Sequence, residues 1–142
     1  MTNSLTLSIP IAPVAWARAG VSMRRGRAHH YTPHDLRAYK DQIRKHAALY
    51  LPRGFVPWTG PIRANISFGL PIPASFSKRK REMLDGTSHF GKPDRDNLEK
   101  ALLDAFNRVL WVDDSQVCSG CTLKVYSLSP FIEITATRME TL

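Results

Sequence analysis

The stretch GKPDRDNLEKALLDAFNRVLWVDDSQV, residues 91–117, decides how this chain is read. It sets Asp94 and Asp96 one residue apart, follows them with apolar residues at helical spacing, and closes on Asp113 and Asp114 side by side. Like charges this close repel, and each disfavours ionisation of the other. The chain around them is basic, with 20 Lys and Arg against 12 Asp and Glu, a formal net charge of +8 and a pI near 9.9. Two acidic doublets gain nothing for a fold unless something positive sits between them.

Working outward, 142 residues make one domain, 1–142, long enough to bury a core. A hydrophobic fraction of 43% and a charged fraction of 23% are ordinary for a globular protein. The charge selects polyanionic partners, nucleic acid first and an anionic membrane surface second. No apolar run approaches the ~20 residues that a spanning helix needs. The opening MTNSLTLSIPIAPVAWARAG lacks the basic start of a secretory leader, and Pro10 and Pro13 interrupt it. The expected location is the cytoplasm, with Cys118 and Cys121 reduced.

Alternation predicts strands at 4–12 (Leu5, Leu7, Ile9, Ile11) and 62–70 (Ile62, Ala64, Ile66, Phe68, Leu70). It predicts two more around Leu123–Val125 and Ile132–Ala136, joined by a turn at Ser127–Pro130. A helix is predicted from Thr32, with Pro33 in its first turn and Leu36, Tyr39, Ile43 and Ala47 on one face. A short basic helix covers Ser75–Leu84, and the most periodic helix covers 97–110. Residues 15–31 show no period and read as an exposed basic loop. The order β-α-β-(α)-α-β-β predicts an α+β fold, a small mixed sheet with two main helices packed on it.

In an extended segment, residues two apart point to one side, so Asp94 and Asp96 face one point. Two hard oxygen donors suit Mg²⁺, which takes one or two protein carboxylates and leaves its other positions to water and phosphate. The helix N-terminus behind them also favours anions. On the helix, Asn97, Lys100, Asp104 and Arg108 form one polar stripe, with Lys100 a turn from the pair and Asp104 at i+4 to orient its ammonium. The plain alternatives are helix-cap carboxylates, a solvated Asp-Asp turn and a solvated lysine. A helix of ~20 Å separates the two doublets, and geometry leaves open whether Asp113 or Asp114 reaches the first pair.

Asp94-x-Asp96-Asn97-x-x-Lys100, an apolar helix containing Asp104, then Asp113-Asp114-x-Gln116-Val117, resembles the RusA family of Holliday-junction resolvases of bacteria and their prophages. The likeness extends more weakly to the first strand with its basic loop and to the closing PFIEIT strand. It implies that Asp94, Asp96 and Asp114 bind a catalytic Mg²⁺, with Mn²⁺ as a substitute. It implies that Lys100 is essential near the scissile phosphate, and that Asn97, Asp104 and Asp113 support the site. It also implies a homodimer that makes paired symmetric nicks in a four-way junction, for DNA recombination and repair. The acidic cluster then becomes a metal cage on a basic surface.

Basic candidates for the DNA backbone are Arg18, Arg24, Arg25 and Arg27 in the loop, Lys78, Arg79 and Lys80 in the short helix, and Lys92 beside the first doublet. Trp16 and Phe90 flank basic segments and suit either wedging between bases or local packing. Leu103, outside the main helix stripe, is a candidate dimer contact. Cys118 and Cys121 lack two further zinc ligands and share a side only if Gly120 makes a bulge. The rival readings are a non-catalytic DNA-binding module and a less selective flap or fork nuclease. Carboxylates that repel phosphate argue against the first.

Overall fold

The structure, a computed structural model, describes residues 3–17, 20–24, 27–31 and 34–141, with the backbone alone for 20–24, 27–31 and His34. The elements are β1 (Ser4–Ile9), β2 (Gly20–Arg24), β3 (Arg27–Tyr31), α1 (His34–Tyr50), β4 (Ile62–Pro71), α2 (Lys78–Leu84), α3 (Arg95–Ala105), β5 (Val117–Ser119), β6 (Thr122–Ser127) and β7 (Phe131–Arg138). A short 3₁₀ turn, Asp114–Gln116, precedes β5. The α+β architecture expected from the pattern is present.

The main sheet is mixed. β1 and β4 flank β7 antiparallel, and β4 carries β5 and β6 on its other edge, both parallel to it. The parallel pairing requires a crossover, and α2 and α3 provide it. Strand β4 is central because its alternating apolar side is buried: Ile62, Ala64, Ile66 and Phe68 meet Ile132, Ile134 and Ala136 of β7 across the ladder. Onto that face pack α1, through Leu36, Tyr39, Ile43 and Ala47, and α3, through Leu98, Ala101, Leu102 and Ala105. Gly69 lets the Phe131 ring lie across β4, since a side chain there would collide with the ring.

Several boundaries shift. β1 stops at Ile9 because Pro10 has no amide to donate to the ladder. α2 begins at Lys78, with the Ser77 hydroxyl accepting from the Lys80 amide at 3.2 Å. Its expected start, Ser75, lies ahead of that cap. α3 runs from Arg95 to Ala105 rather than over 97–110; the chain then turns through Arg108 at φ 63° and closes with Asn107 and Trp111 bridged. The expected cap Thr32 and Pro33 lie outside the described residues.

The expectation of an irregular loop at 15–31 is corrected: β2 and β3 form an antiparallel hairpin, Gly20 opposite Tyr31 through Arg24 opposite Arg27. The hairpin is a sheet of its own, and in its sequence the apolar alternation, Val21 and Met23, is too short to announce a strand. Leu103 is also corrected. It is buried within the chain's own core rather than left as a free contact. Among the described residues, no helix is long and apolar enough to cross a membrane.

Candidate active site at the two ends of α3

Asp94 is the N-cap residue of α3 in extended conformation, and its side chain makes no capping bond. Freed from capping, its carboxylate accepts from the Lys92 ammonium at 2.8 Å. That bond and the lysine charge hold the Asp94 carboxyl below the usual carboxylate range and push Lys92 up. Asp96 lies in the first turn, exposed, and accepts from the Asn97 amide at 3.0 Å. The pair therefore stands open at the positive end of a helix dipole.

A lysine that the sequence reading did not single out braces this end. The Lys124 ammonium donates to the carbonyls of Gly91 at 2.7 Å and Pro93 at 2.6 Å, tying the approach to Asp94 onto β6. Its signal was a cation inside an otherwise apolar strand pattern, Leu123-Lys124-Val125. Beside it, the Thr122 hydroxyl donates to Glu99 at 2.9 Å, holding the middle of α3 to the same strand.

Lys100 is exposed and projects over the Trp16 ring, 4.9 Å from its centroid. The Trp16 amide donates to the Asn97 carbonyl at 2.9 Å, so the segment after β1 lies along the first turns of α3. Trp16 is thus packed locally. Asp104 does not orient Lys100 as the i+4 spacing suggested. Its carboxylate accepts from Lys40 of α1 at 3.4 Å and from Asn107 at 3.5 Å, joining the two helices.

At the other end, Asp113 and Asp114 divide their work. Asp113 caps the 3₁₀ turn: its carboxylate accepts from the Ser115 amide at 3.1 Å, and Ser115 holds the carboxyl below its usual range. Gln116 returns the bond, its amide oxygen accepting from the Val112 and Asp113 amides, both at 2.9 Å. Its amide nitrogen donates to the carbonyls of Trp58 at 2.8 Å and Gly60 at 3.0 Å. Among the described residues the Asp114 carboxylate has no hydrogen-bond or ion-pair partner. One doublet thus holds a structural acid and an unengaged one.

The two ends do not meet within the chain. α3 spans roughly 16 Å at 1.5 Å per residue, with Asp94 ahead of it and Asp114 beyond it. The sheet gives the same answer: β5 starts opposite Ile62, whereas Lys124, beside Asp94, lies opposite Phe68. Six strand positions at about 3.3 Å each separate them. Among the described residues, no three His, Cys, Asp or Glu side chains gather where they could hold a metal ion.

The basic candidates are distributed. Lys78, Arg79 and Lys80 are exposed on α2, which buries none of its residues, and Lys80 lies 3.8 Å from the Phe76 ring centroid. Arg24 and Arg27 lie on the β2–β3 hairpin, while Arg18 and Arg25 lie outside the described residues. Cys118 and Cys121 are free and exposed. The bulge their metal reading required does occur: five steps from Val117 to Thr122 run against four on β4, and Gly120, at φ 138°, crosses the Ala64 carbonyl where no side chain fits.

A family model described as endodeoxyribonuclease RusA matches residues 10–137. The chain is also 33% identical over 129 residues to the uncharacterized protein YqaN of Bacillus subtilis (strain 168), a match covering 86% of this chain and 87% of that protein. The family match runs from the residue after β1 into β7 and takes in both acidic doublets, Lys100 and Gln116. The chain therefore belongs to the RusA endodeoxyribonuclease family.

Proposed function

We propose that this chain is a Mg²⁺-dependent, structure-selective endodeoxyribonuclease that acts as a homodimer and resolves four-way junctions by paired nicks, in recombination and repair in the cytoplasm. The observation that carries the reading is the exposed pair Asp94 and Asp96 at the N-terminus of α3, with Lys100 one turn behind, on a chain of net charge +8. A binding module would gain by losing carboxylates that face phosphate.

The residues fit a divalent ion in part. Asp94 and Asp96 supply the one or two carboxylates that Mg²⁺ takes from protein, and their exposure leaves room for water and phosphate. Asp114, unengaged but at the far end of α3, can join that pair only from a second copy of the chain. The homodimer, first needed to place two nicks with two-fold symmetry, then also completes each site. A bound ion there supplies an activated water and stabilises charge building on the phosphate.

The chain's own residues do the rest in this proposal. Lys92 keeps Asp94 ionised and exchanges it for a DNA phosphate on binding. Lys100, held over Trp16, offsets the extra charge of the transition state. Asp113 and Gln116 fix the turn that presents Asp114, and Asp104 fixes α3 against α1. Lys78, Arg79 and Lys80 of α2 and the arginines of the hairpin contact the backbone of the junction arms. Incubation with a synthetic four-way junction, a flap and linear duplex, each with and without Mg²⁺, tests the reading and separates a junction resolvase from a less selective branched-DNA nuclease.

A further inference from the structure

We propose that Phe90 is a branch-recognition residue, a rigidly presented ring that stacks on a nucleobase unpaired at a DNA branch beside the phosphate served by Asp94 and Asp96. The inference rests on the nuclease reading above and adds to it a residue that reads DNA structure.

Phe90 is 91% exposed, the most exposed large apolar side chain among the described residues. A benzyl group left in water forgoes the stabilisation that burial would bring, so its position calls for a partner. The segment that carries it is held in place. Residues 86–89 run along the free edge of β6: the Gly86 amide donates to the Tyr126 carbonyl at 2.8 Å, the Tyr126 amide to Thr87 at 2.9 Å and the His89 amide to Lys124 at 3.0 Å. The His89 ring packs on Tyr126, with centroids 4.5 Å apart. On the other side, the carbonyls of Gly91 and Pro93 converge on the Lys124 ammonium. Phe90 projects from between these two anchors. Local packing, which accounts for Trp16, does not account for Phe90.

The occupant follows from the surroundings. Lys92 lies two residues on, and Lys124 holds the Gly91 and Pro93 carbonyls, so the segment that carries the ring is flanked by cations that attract phosphate. Aromatic rings beside a positive track are how proteins hold unpaired bases, and every base offers a face to stack on. Four residues of chain reach at most roughly 14 Å, so the ring lies within about four base steps of Asp94 at roughly 3.4 Å per step. An intact duplex stacks every pair on both sides, whereas a pair at a crossover opens more readily, and the ring then holds the freed base out of its pair.

The test uses the 142-residue chain in saturating amount, with Mg²⁺ and two four-way junctions of one sequence, one fully paired and one with unpaired nucleotides at the crossover, so that the cutting rate reports opening in the bound complex. Phe90→Ala is expected to cut the paired junction roughly 5- to 100-fold more slowly, the loss of one stacked base, and to cut the pre-opened junction within about threefold of the parent. Phe90→Trp is expected to restore cleavage of the paired junction. Equal loss on both substrates, or no loss on either, overturns the inference and leaves the nuclease reading standing. Cleavage of neither substrate by the parent chain overturns both. Conversion of the parent dimer to a monomer by Phe90→Ala in sedimentation would assign the ring to a second copy of the chain instead of DNA.

Discussion

Asp94 and Asp114 lie at opposite ends of one helix: Asp94 occupies the N-cap position of α3 without a capping bond, and Asp114 opens the 3₁₀ turn beyond its last residue. A helix of roughly 16 Å stands between them. If both ligate one ion, they belong to different chains. Asp94→Asn, Asp96→Asn and Asp114→Asn should each abolish cleavage while junction binding persists or tightens. Asp113→Asn should be mild, because Asn caps a helical turn about as well as Asp. Co-expressed Asp94→Asn and Asp114→Asn chains should regain nicking, since each heterodimer then holds one intact pair of partners. Failure of verified heterodimers to nick would contradict the shared site.

Gln116 makes four hydrogen bonds to backbone groups of Val112, Asp113, Trp58 and Gly60. Gln116→Ala should cost about 1–3 kcal/mol and lower the melting temperature by roughly 3–10 °C. An unchanged melting curve would show that the turn before β5 holds without it.

Replacing Lys78, Arg79 and Lys80 together with Gln should leave stability unchanged, because α2 buries nothing. Junction affinity should fall, and its dependence on salt should flatten, each lost phosphate contact removing roughly 0.9 from the log–log slope. The same holds for Arg24, Arg25 and Arg27. A slope equal to the parent's across several salt concentrations would place the altered segment away from DNA.

His89 is pushed below its ordinary value of 6.5, first by burial and then by the Lys124 charge. The folded chain therefore keeps His89 neutral in a window below pH 6.5 where the unfolded chain binds a proton. Stability contributed there rises with pH and is lost as pH falls toward the folded value. An NMR titration should place the His89 midpoint below 6.5; a midpoint at or above it would contradict the packing of His89 between Tyr126 and Lys124.

Much of this was legible in the sequence. Strict alternation in Ile62–Leu70 and 3.6-residue spacing in Leu98–Phe106 follow from burial on one side, so β4 and α3 announced themselves. The β2–β3 hairpin did not, because its apolar alternation, Val21 and Met23, is too short and is set among basic residues. Asp104 was visible as a polar helix residue, but its partner Lys40 lies 64 positions away, beyond any spacing rule. Asp113 and Gln116 were visible as motif positions, yet only the capped turn shows what Gln116 holds and separates the structural carboxylate from the free one. The helix length implied the separation of the doublets, and the sheet register made it definite.

The central claim is metal-dependent cutting of branched DNA by the carboxylates at α3. The most direct measurement is cleavage of an end-labelled four-way junction by the parent chain and by Asp94→Asn, with Mg²⁺ and with excess EDTA. The account predicts paired nicks at symmetry-related positions by the parent with Mg²⁺ alone, and none in the other three reactions. Cutting in EDTA, or by Asp94→Asn at the parent's rate, would contradict it.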